Sequence, residues 1–146
     1  MHRRPLGRGR LLAAIAAFVI LIGCLLPWYL IGGALATGLP AQSINAFEDK
    51  GIVVFVCALA ILALVTLPYA AGDRPVETDR TLAYTIVTVL AIGAFVWRVI
   101  EFVLVDPLGM RPDLAPGLWI TAVGLLILAR ATYEIEIGRA SCRERV

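Results

Sequence analysis

The sequence predicts an all-α membrane protein, a four-transmembrane-helix bundle with both termini in the cytoplasm. Four long apolar runs point to it, at residues 11–31, 51–71, 82–105 and, less cleanly, 114–129, giving spans at about 11–31, 51–71, 82–105 and 114–133. Each is near the roughly 20 residues a helix needs to cross about 30 Å of hydrocarbon. Composition agrees: the 146 residues are 60% hydrophobic and 16% charged, with a mean hydropathy of +0.88. A soluble domain is nearer half apolar, with about a quarter of its residues charged. Nearly all the charges also fall between the runs or at their ends, whereas a soluble helix mixes polar residues into its outward face. The length suits one domain over residues 1–135. The net charge of +2 is too small to argue for a nucleic-acid partner.

The first run follows Arg3, Arg4, Arg8 and Arg10. Arg74 and Arg80 lie in the second loop, and Arg130 closes the fourth run. Lys50 and Arg111 fall on the opposite side. Arginine and lysine concentrate on the cytoplasmic side of a membrane. Both termini and the 72–81 loop are therefore expected inside, and residues 32–50 and 106–113 outside. The implied location is the bacterial inner membrane. A competing reading starts from the same arginines: Ala34, Leu35 and Ala36 resemble the cleavage site of a signal peptide. The length of the first run, and Pro27, Trp28 and Tyr29 at its end, fit a retained span better.

The second helix is expected to start within a capping box, with Asn45 as cap and Glu48 reaching back. Asp79 is the expected cap of the third helix and Asp113 that of the fourth, with Pro116 in its first turn. Pro27 and Pro68 sit where they would kink or close spans one and two.

With this orientation Trp28, Trp97 and Trp119 all fall on the outer side, and Tyr69, Tyr84 and Tyr133 on the inner side. The ordinary reading is an aromatic belt at headgroup depth. The sharper one is an outward-facing pocket lined by the three tryptophans and charged by Arg98 and Glu101. Those two are the ionisable pair within a run, three residues apart and so on one helix face. Charge inside a membrane is a functional flag. Here depth weakens it, since Arg98 is about 24 Å up the third helix from Leu82 and can snorkel to the interface. Candidate binding residues are thus Arg98, Glu101, Trp28, Trp97 and Trp119.

Cys24 and Cys57 are expected at similar depth in adjacent helices, as free buried thiols. With His2 the sole histidine and no C-x-x-C, neither a metal site nor a cofactor is expected. No nucleophile–base pair stands out, so the chain is not expected to be an enzyme. Thr81, Thr85 and Thr88 share one face of the third helix and are expected to meet another helix. Gly32–Ala36 and Gly93–Trp97 are poor versions of the small-xxx-small packing pattern. The mixed charges of Asp73, Arg74, Glu77, Asp79 and Arg80 read as a solvated loop or a partner-docking one.

Composition changes abruptly at Glu136. The segment 136–146, EIGRASCRERV, resembles the translation of a short-read sequencing adapter and is read as a non-native tail. Cys142, Arg139, Arg143 and Arg145 therefore carry no functional argument.

The Leu-Pro-Trp-Tyr end of span one, the Ala46, Phe47 and Gly51 entry to span two and the Pro116–Trp119 entry to span four carry a loose resemblance. It is to the many small, uncharacterised four-helix membrane proteins of high-GC bacteria, and it implies no activity. Small multidrug exporters also have four helices, but their coupling acidic residue lies in the first span, and 11–31 holds no charge. The expected function is a non-enzymatic structural or partner-binding subunit. Its partners would be the lipid bilayer and a protein partner or a second copy. The alternative is a small-solute transporter or sensor using the outer aromatic and charged site.

Overall fold

The structure, a computed structural model, describes residues 7–31, 40, 42–48, 50–70, 80–104 and 113–143. Four helices form an antiparallel bundle: α1 (Arg8–Leu25), α2 (Gly51–Ala70), α3 (Arg80–Leu104) and α4 (Pro116–Arg143). A small antiparallel sheet closes one end. Its central strand β1 (Tyr29–Ile31) lies between β2 (Gln42–Ile44) and β3 (Asp113–Leu114). Tyr29 is opposite Ile44 on one side and Leu114 on the other.

Three helices are long and apolar enough to cross a membrane, over Arg8–Leu25, Thr81–Glu101 and Pro116–Ile137. Gly51–Leu67, within α2, is a shorter apolar stretch. The interior mixes small residues with larger ones such as Ile20, Trp28, Ile61 and Leu128, and the exterior is lined by large apolar side chains. On α1, Ala13, Ala16, Ala17, Ile20, Gly23 and Cys24 are buried, while Leu11, Ile15, Phe18, Ile22 and Leu25 are exposed. The exposed set advances by four and three residues, which keeps it on one helix face. Leu82, Ile86, Val89, Val96 and Ile100 repeat this on α3, and Trp119, Val123, Leu126 and Tyr133 on α4. Water would penalise so much exposed apolar area, whereas lipid leaves close packing of small residues to hold the helices together.

The tightest pair is α1 with α4. A Cβ added at Gly23 would stand 2.7 Å from the Thr121 backbone nitrogen, and one at Gly117 would stand 2.6 Å from the Pro27 carbonyl oxygen. Only glycine allows these backbones so close. Main-chain bonds lock the same joint. The Trp28 amide donates to the Ile44 carbonyl at 2.8 Å, the Ala115 amide to Trp28 at 2.9 Å, and the Gly117 amide to Pro27 at 3.0 Å. The first turn of α4 thus finds an acceptor in the chain leaving α1, which a helix N-terminus otherwise lacks.

Several expectations need correction. The first apolar run does not stay helical to Ile31. Its helix ends at Leu25, and after Pro27, which has no amide to donate, the chain turns into β1. Asn45 does cap, accepting from the Phe47 amide at 3.0 Å, but the turn it caps is the short 3-10 helix Ala46–Glu48, separate from α2. Asp113 lies in β3, too early to cap α4. The fourth helix does not stop near residue 133 but runs on to Arg143, through the junction at Glu136. Gly93, a poor match to the small-xxx-small pattern, accordingly makes no close helix packing: a Cβ there would meet nothing within 4 Å. The suggested cleavage site at Ala34, Leu35 and Ala36, the cap at Asp79 and the charges of Asp73, Arg74 and Glu77 lie outside the described residues.

The threonine face of α3 does meet a helix. The Thr88 and Thr132 hydroxyls are 2.9 Å apart across α3 and α4, and Thr132 also donates to the Leu128 carbonyl. Hydroxyl pairs inside membrane bundles are worth about 0.6 kcal/mol on average. A double-mutant cycle on Thr88→Val and Thr132→Val, read by thermal unfolding in detergent, is expected to give a coupling of about that size. A coupling of zero would mean that the contact contributes nothing.

Candidate charged and aromatic cluster at the sheet end

The sheet end gathers the C-termini of α1 and α3 and the N-termini of α2 and α4. Arg98 and Glu101, one turn apart near the end of α3, face each other at 3.9 Å. Lys50, immediately before α2, joins them by an ion pair with Glu101. Its ammonium also lies 5.5 Å from the centre of the Trp97 ring, within reach of a cation–π interaction. Tyr29, buried in β1, is within the electrostatic influence of Arg98. One carboxylate is therefore shared by two cations from different elements. The Arg98 side chain is only 14% exposed, against 48% for Lys50 and 31% for Glu101. The arginine thus reaches the others from the protein side and the lysine from outside.

The three tryptophans do not form one lining. Trp28 is 1% exposed, whereas Trp97 is 61% and Trp119 59% exposed. Trp28 donates its indole N–H to the Gly23 carbonyl at 2.9 Å and meets Phe95 edge to face at 5.6 Å. That N–H caps the α1 C-terminus, where a free carbonyl needs a donor. Trp28 belongs to the core, while Trp97 lies against the charged cluster. Position along a helix gives depth, but not the direction a side chain takes around the axis.

Lys50 is the cluster residue that sequence reasoning did not select. A signal existed: it directly precedes an apolar run whose neighbour ends in Glu101, and antiparallel helices bring such ends together. Cys24 and Cys57 are free and buried, as expected. No protein-family model, curated protein or solved structure matches the chain. What the fold defines is a helical protein in which three helices are long and apolar enough to cross a membrane.

Proposed function

We propose that this chain is a multi-pass integral membrane protein of the bacterial inner membrane, with four spans and both termini cytoplasmic, serving as a non-enzymatic structural or partner-binding subunit. The observation that carries this reading is the apolar exterior. Large apolar side chains such as Phe18, Val56, Val89 and Leu126 face outward from all four helices, while the interior mixes alanine, glycine and threonine with Ile20, Val54, Ile61 and Leu128; an exterior this apolar is suited to lipid. The 20 residues of α2 amount to about 30 Å of helix, enough for the fourth crossing. The paired Lys50, Arg98 and Glu101 favour a role in holding elements together, because the carboxylate already has protein partners. We keep the likeness to small four-helix proteins of high-GC bacteria, and the non-native origin of residues 136–146, as parts of the same proposal.

The second reading, an outward-facing solute site, draws on the exposed Trp97 beside Lys50. Chemical crosslinking in native membranes separates the two. A subunit is expected to give one discrete crosslinked species, a homo-oligomer or a complex of fixed stoichiometry, that survives purification in mild detergent. A monomer throughout would contradict the subunit reading. Solute-dependent quenching of tryptophan fluorescence, lost in Trp97→Phe, would favour the second.

A further inference from the structure

The α3 helix is attached differently from its neighbours. It buries 17% of its apolar span, against 33% for α1 and 39% for α4. The joint between α1, α4 and the sheet is made of backbone contacts and main-chain hydrogen bonds. Near the sheet end α3 meets the rest of the protein through side chains, among them Phe95 on Trp28, Glu101 on Lys50 and Lys50 over Trp97, with Ala94 and Val99 also packed on the core. Just before these contacts stands Gly93, exposed, with open space where a Cβ would be. Glycine in a helix interior weakens it relative to alanine, because its backbone is freer. Packing gives no reason for it here.

We propose that α3 carries a built-in hinge and latch. The segment after Gly93 undocks at the sheet end, Gly93 supplies the bend, Phe95 pivots against Trp28, and the Lys50–Glu101 ion pair holds the segment closed. Lys50 is the releasable half. It is the more exposed partner, it precedes α2, and its loss leaves Glu101 still beside Arg98. An exposed ion pair has a modest effect on such an equilibrium, so both forms would be populated and a change at Lys50 would shift their ratio.

The test is double electron–electron resonance on the full chain in lipid nanodiscs, with Cys24→Ala, Cys57→Ala and Cys142→Ser. Spin labels at Ser43 on β2 and Ile100 on α3 report the latch, and labels at Ile15 on α1 and Val123 on α4 report the frame. Lys50→Met is expected to raise the long-distance population of the Ser43–Ile100 pair roughly two- to fivefold, leaving the Ile15–Val123 pair unchanged. Lys50→Arg is expected to match the parent, and Gly93→Ala in the Lys50→Met background to reverse the rise. An unchanged Ser43–Ile100 distribution in Lys50→Met would overturn the latch, as would equal movement of both pairs. Failure of Gly93→Ala to reverse the shift would overturn the hinge.

Discussion

Trp28→Ala is expected to destabilise the fold by about 3 kcal/mol, toward the lower end for truncating a buried tryptophan. The lower end is chosen because lipid, unlike water, gains little from driving an apolar ring inward. What remains is the cavity, the lost edge-to-face contact with Phe95 and a Gly23 carbonyl left without its indole donor. Trp97→Ala and Trp119→Ala remove equally large but exposed rings and are expected to stay within about 1 kcal/mol of the parent. The buried Cys24 and Cys57 thiols offer a direct readout. A thiol-reactive fluorophore should report their exposure during a thermal ramp in detergent, with a markedly lower midpoint for Trp28→Ala alone. Three equal midpoints would return Trp28 to the aromatic belt.

Gly117→Ala is the second large effect, expected at about 2–3 kcal/mol destabilising, as for overpacking a close-packed core. The added methyl would meet the carbonyl oxygens of Pro27, Leu26 and Gly23 at 2.6, 2.7 and 2.9 Å. All three are backbone atoms, so α1 and α4 must move apart, and the main-chain bonds between Pro27, Trp28 and the start of α4 lie at that point. The same substitution at Gly93 has open space around it and is expected to stabilise by about 0.5–1 kcal/mol through helix propensity. One chemical change with opposite signs in two apolar helices separates packing from propensity. If Gly117→Ala were neutral under the same thermal assay, the close α1–α4 approach would be wrong.

Trp28 and Gly117 also mark where the sequence stopped being legible. The apolar runs located all four helices, because lipid-length stretches flanked by charge constrain little else. The Arg98–Glu101 pair was legible from helix periodicity alone. The sheet was not. Tyr29, Leu30 and Ile31 continue an apolar run, and only pairing with distant Gln42–Ile44 and Asp113–Leu114 makes them a strand. The inward turn of Trp28 depends on the break in α1 after Leu25, which linear position does not show. The α1–α4 seam was partly legible and missed: Gly117, Thr121 and Gly124 are spaced by four and three, as are Ala13, Ala17 and Ile20. Spacing reveals such a face, but not which helix will cover it.

As proposed, the bundle crosses the membrane four times with the sheet outside. Cysteine accessibility in intact cells tests it most directly. In a background of Cys24→Ala, Cys57→Ala and Cys142→Ser, single cysteines replace Gly7, Ser43 or Tyr133 and are treated with a membrane-impermeant maleimide. Labelling is predicted at Ser43 in intact cells, and at Gly7 and Tyr133 only after permeabilisation. Labelling of Gly7 or Tyr133 in intact cells, or protection of Ser43 there, would contradict the topology.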